Sequence, residues 1–178
     1  MTHGLMRCAC AALLLVPLGG CDRIMPQRAD LTLPAIDDVE AIYARHGVTA
    51  DYELSGNVVE LRVTQDAEQL RRGGSLWARV GPYIYVFSPG TRELFDTWAG
   101  VSAVRVITRT SAETEIARAL LTRDRLNEIT WRRALNVLGN ALQEGTARPS
   151  RIDDLVQFGE EMTEYEYNPD YVPERDGS

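Results

Sequence analysis

Apolar positions along this chain recur with two different periods, and the switches between them predict its elements. Val39, Ile42 and Tyr43 share one face of a helix that Asp37 or Asp38 can cap, running to about His46 with Gly47 as its stop. Period two then takes over. Thr49 to Leu54 and Asn57 to Thr64 alternate, with Val59, Leu61 and Val63 on one side and Val58, Glu60 and Arg62 on the other. Ser55-Gly56-Asn57 between them is hairpin-turn chemistry.

The middle of the chain is less regular. Asp66 to Arg72 reads as a short polar helix broken at Gly73-Gly74, and Leu76 to Val80 as helical or irregular. Tyr83 to Phe87 reads as a short extended run, and Pro89 to Trp98 as a helix capped by Ser88 with proline at its first position. The block from Leu76 to Trp98 holds six of the thirteen aromatic residues. Trp77, Tyr83 and Phe87 are its candidate ligand-binding residues, and packing of the same rings into a core is the competing reading.

Val101 to Arg109 and Glu115 to Leu121 alternate as a second hairpin, joined by a turn-like stretch from Thr110 to Thr114. Arg105, Arg109 and Arg118 fall on its exposed face, as an anion site or as cross-strand partners for Glu113 and Glu115. Thr122 or Asp124 opens the longest helix, ending near Gly145 and expected to lie across the sheet. Gly139 inside it suggests a close backbone approach. A last helix starts at Ser150, with Ile152, Leu155, Val156, Phe158 and Gly159 on one face and Asp153, Gln157, Glu160 and Glu164 on the other. The expected fold is α+β, an antiparallel sheet of two hairpins with helices packed mainly on one face.

Charge and side-chain chemistry narrow the functions. The 178 residues carry 19 basic and 26 acidic groups, net −7. From Asp22 to Ile152 there are seventeen of each sign, so the acidity lies from Asp153 onward, where nine acidic residues face one basic. No basic patch suits a phosphate backbone, which argues against nucleic acid as a partner. Lysine is absent, so Schiff-base chemistry and a Walker lysine are excluded. No glycine-rich phosphate loop or metal-ligand spacing occurs, and no cofactor is implied. Beyond residue 20 the only histidine is His46, on which a carboxylate-dependent hydrolase would have to rely.

The first twenty residues have their own logic. Arg7 precedes the apolar run from Cys8 to Leu18, then Gly19-Gly20, which is the layout of a secretory signal. Eleven residues fall well short of the ~20 that span a bilayer. Leu18-Gly19-Gly20-Cys21 resembles the lipobox of bacterial lipoproteins. That resemblance implies cleavage before Cys21, a lipid thioether on its sulfur, and anchorage to a membrane of the cell envelope with the domain facing the periplasm. Asp22 resembles the enterobacterial signal for retention at the inner membrane. All three cysteines lie at or before position 21, so the remaining chain has no disulfide and no thiol.

The organisation that follows is a signal peptide over 1–20, a lipidated tether over 21–35, one globular domain over 36–164 and an acidic Tyr/Pro-containing tail over 165–178. The leading functional expectation is a non-catalytic envelope module that binds a protein partner or assists assembly. A lipid or hydrophobic-ligand binder built on residues 76–98 is the first alternative, and the hydrolase the second.

Overall fold

The computed structural model describes residues 31–172, so the expected signal peptide, Cys21, Asp22 and most of the expected tether lie outside the described residues. Helix α1 spans Ile36–Arg45 and buries Val39, Ile42 and Tyr43, the face its spacing predicts. It begins earlier than expected. Ala35 is the N-cap, and its N–H donates to Asp38 Oδ2 at 3.1 Å. Strands β1 (Asp51–Ser55) and β2 (Val58–Thr64) form the first hairpin across Gly56, whose φ of 63° is what a tight turn requires of its glycine.

Helix α2 (Ala67–Val86) absorbs most of what the sequence divides into separate pieces. Asp66 Oδ1 caps it by accepting from Gln69 N at 2.7 Å, and Gly74 kinks it with a φ of 58°. The helix then continues through Pro82, so the extended run expected over Tyr83 to Phe87 is corrected to helix. Val80, Tyr83, Val86 and Phe87 recur at helical spacing and are all buried. Filling the core with four large side chains outweighs the roughly 3 kcal/mol an interior proline costs and the extended bias of aromatic and β-branched residues. Helix α3 (Pro89–Thr97) follows, with Ser88 Oγ accepting from Thr91 N.

Strands β3 (Ala103–Arg109) and β4 (Glu115–Thr122) make the second hairpin as expected. A 3-10 turn, Arg123–Arg125, leads to α4 (Glu128–Glu144), capped by Asn127, which accepts from Ile129 N and Thr130 N. Next come α5 (Ser150–Met162) and β5 (Glu164–Tyr167). The sheet order is β1-β2-β3-β4-β5. Three of its pairings are antiparallel, whereas β2 and β3 run parallel, from Val58 beside Ala103 to Thr64 beside Arg109. A parallel join needs a crossover, which α2 and α3 provide. The α+β class therefore holds, with a mostly antiparallel sheet.

Residues 165–167, assigned to the tail by sequence, are strand residues hydrogen-bonded to β4. Asn168 then closes the segment, donating from Nδ2 to Glu115 O at 2.6 Å and accepting from Asp170 N.

Strand residues Val59, Leu61, Val63, Val104, Val106, Ala119 and Leu121 join α1, α2, α3, α4 and α5 in one buried cluster. Helix α2 lies against β3 and β4, while α4 packs on α5. The expectation that α4 crosses the sheet is thus corrected, because α2 occupies that place. The buried stripe of α4 is Trp131, Ala134, Leu138 and Ala141, leaving Ile129 and Leu142 exposed. Nothing approaches Gly139 within 4 Å of where a Cβ would stand, so its close-approach reading also fails. The close approach is instead at Gly159, where a Cβ would lie 2.4 Å from the ring of Tyr83.

One arginine ties these pieces together. Arg123 donates from Nε to Val101 O at 2.7 Å and from its two Nη groups to Phe95 O and Trp98 O, while its guanidinium lies 4.9 Å from the Phe95 ring centre. The carbonyls at the end of α3, which have no partner within their own helix, are answered by this side chain.

Candidate interaction surface

Among the described residues the helices cover one face of the sheet and leave the other open, and alternation decides what the open face carries. Outward positions are Asp51 and Glu53 on β1, Glu60 and Arg62 on β2, Arg105, Ile107 and Arg109 on β3, Arg118 and Leu120 on β4, and Glu164 and Glu166 on β5. Parallel pairing sets Glu60 beside Arg105, and the β4–β5 register sets Arg118 beside Glu166.

Opposite charges meet across three of the four strand pairings, β3–β4 being the exception. Arg62 bridges Glu53 at 3.2 Å and Glu60 at 2.5 Å, and Arg105 reaches the other oxygen of Glu60 at 3.2 Å. Arg109 pairs with Asp51 and Glu113, and Arg118 with Glu166 and, at 3.9 Å, Glu115. Glu60 is only 6% exposed although its face is uncovered, because its two arginines lie over it. The charge-assisted bond from Glu166 stabilises the cationic form of Arg118 and raises its pKa. Exposed pairs of this kind contribute ~0–1 kcal/mol each, so the ladder gives the face its polarity and register more than its stability.

Arg105, Arg109 and Arg118 therefore do share a face, as the alternation indicates, and all three are engaged by carboxylates. Asp51, Glu53, Glu60 and Glu166 were not singled out by sequence. The signal for Glu60 lay in its outward place beside Arg62 on β2, and that for Glu166 in the Glu-Tyr-Glu-Tyr alternation of residues 164–167. Their partners depend on pairings that no local pattern reveals.

The three aromatic candidates separate. Tyr83 and Phe87 are fully buried, with ring centres 6.1 Å apart; Tyr83 also meets Tyr165 at 5.1 Å and Phe87 meets Phe158 at 5.2 Å. These are packed core rings that border no open groove. Burial raises the pKa of Tyr83 well above the ordinary phenol and pushes that of Tyr165 up to about 12. Trp77, half-buried, lines a cleft of about 480 Å³ at the Gly74 kink, together with Asp66, Gln69, Arg72, Leu76 and Ile152.

His46 sits at the surface, its Nε2 2.8 Å from Glu93 Oε2, with Arg45 on the other oxygen of that carboxylate. The bonds from Arg45 and then His46 lower the pKa of Glu93. One exposed carboxylate held in a surface ion pair is not the acidic cleft that the hydrolase reading requires. Among the described residues no group of three or more His, Cys, Asp or Glu side chains is placed to hold a metal ion, and no helix is long and apolar enough to cross a membrane.

Comparisons with protein-family models, with curated proteins and with solved structures find no match for this chain.

Proposed function

We propose that the chain is a bacterial envelope lipoprotein, anchored through lipid on Cys21, whose domain acts as a non-catalytic protein-interaction or assembly module facing the periplasm. The anchor rests on the signal layout and on Leu18-Gly19-Gly20-Cys21. The interaction role rests on one observation above others, the uncovered five-stranded face with its ladder of alternating charge. Such a face selects a partner by complementary charge and fixes the register of docking, which is what charged surfaces contribute more than raw affinity. Asp22 is the residue that would hold the protein at the inner membrane.

The test is site-specific photo-crosslinking in the native host, with the reactive group at Glu53 or Arg105 and a control at Arg132 on α4. Crosslinks to one protein from both sheet positions, with those from position 53 lost when Arg62 and Arg105 are both reversed to Glu, support the reading. Equal labelling from the control, together with wild-type envelope integrity after deletion, overturns it. Intact-mass measurement of Cys21 and fractionation of an Asp22→Ser variant test the anchor and its sorting.

A second reading keeps one specific support. The cleft at the α2 kink is lined by the apolar Leu76, Trp77 and Ile152 together with a few polar side chains, the composition of a small hydrophobic-ligand site. Copurified lipid lost on Trp77→Ala would favour it over the docking role.

A further inference from the structure

Six large apolar side chains are exposed among the described residues, and three of them, Leu31, Leu33 and Ile36, fall within the first six positions. Leu31 is 68% exposed, and Leu33 and Ile36 are 37% exposed. This segment is held against the domain. A Cβ on Gly100 would stand 2.3 Å from Leu31 O and 2.7 Å from Thr32 O, so residues 31–32 lie directly on the turn after α3. That turn carries the half-buried Trp98 and the exposed Ala99. Residues 31–32 thus meet the turn that carries Trp98, just before β3 begins, and Leu33 and Ile36 follow them directly in the chain.

Chain length says what meets this end. Leu31 follows Cys21 by ten residues, which span at most roughly 35 Å when fully extended and much less as a coil. We infer that Leu31, Leu33, Ile36 and Trp98 form a second, non-covalent membrane contact, resting at the boundary between headgroups and acyl chains of the bilayer that holds the Cys21 lipid. The inference rests on the anchor reading and adds an orientation to it. Aromatic and aliphatic side chains at this depth bind by burying apolar area. Asp37 and Asp38, in the first turn of α1, would be repelled by anionic headgroups, so the attraction is apolar rather than electrostatic. The turn between β3 and β4 then points away from the bilayer, since β3 runs seven residues, roughly 20 Å, from Ala103 near the patch to Arg109 beside that turn.

The absence of any thiol after Cys21 makes the test direct. The full lipidated chain is placed in vesicles of phosphatidylethanolamine and phosphatidylglycerol containing nitroxide-labelled phospholipid, with a fluorophore on Ala99→Cys or on Ser111→Cys. Quenching at least threefold greater at position 99 than at 111, unaffected by salt and removed by Leu31→Ser with Leu33→Ser, is the expected result. Equal quenching at the two positions, with Cys21 shown acylated by intact mass, overturns the contact while leaving the anchor standing. An unmodified Cys21 in protein from the native host overturns the anchor and this orientation with it.

Discussion

Arg123 offers the sharpest test of how the fold is held. Replacing it with alanine removes donors to Val101 O, Phe95 O and Trp98 O and a cation stacked over Phe95. Hydrogen bonds to a charged group contribute about 1.5–3 kcal/mol each when broken singly, but three bonds from one guanidinium are not additive, and water will reach part of the vacated site. The stacked cation adds ~0.5–1 kcal/mol. The net expectation for Arg123→Ala is a loss of about 3 kcal/mol, or a melting temperature lower by roughly 6–12 °C for a domain of this size. Arg123→Lys should recover only about a third of that, because one ammonium cannot reach three diverging carbonyls. Urea unfolding, with the slope checked to be unchanged, measures both, and Arg132→Ala on the exposed side of α4 serves as the neutral control. A loss below about 1 kcal/mol for the alanine variant, or lysine behaving as well as arginine, would refute the capping argument.

Two glycines should respond in opposite directions. Gly159→Ala forces a methyl into the Tyr83 ring and is expected to destabilise by about 1–3 kcal/mol, whereas Gly139→Ala meets open space within a helix and should stabilise by about 0.5–1 kcal/mol; chemical denaturation of the pair reads both signs at once. Glu93, with its pKa depressed by Arg45 and His46, contributes stability that is present above its unfolded-state value and lost as pH falls through its folded value. The gap in urea midpoint between wild type and Glu93→Gln should therefore close on acidification through the carboxylate range. A gap that widens there would reverse the sign of the argument.

Local patterns made much of this fold readable. Both hairpins, α1, α3 and α5 follow from periods of two and 3.6 with turn and cap residues between them, and Val59, Leu61 and Val63 face inward as their alternation requires. The second half of α2 carries two conflicting local signals, because Tyr-Ile-Tyr-Val after a proline resembles a strand while Val80, Tyr83, Val86 and Phe87 fall at helical spacing. The parallel seam between Val58 and Ala103 joins residues 45 positions apart, and nothing nearby in the chain announces it. The ladder suffered for the same reason. Arg105, Arg109 and Arg118 and the nearby Glu113 and Glu115 are legible locally, but the remaining carboxylates come from β1, β2 and β5. Arg123 gave no signal at all, since its partners are backbone carbonyls that every residue possesses.

Strand β5 has a consequence for how the protein is made. It holds four residues, follows every other described element in the chain, and pairs with β4 from Ala117 to Leu120. Until those residues arrive during synthesis, β4 presents a free edge, with backbone donors and acceptors open to any other strand. Messages truncated just upstream of position 164 would leave that edge permanently unprotected, and their products should self-associate even with every helix and the other four strands encoded.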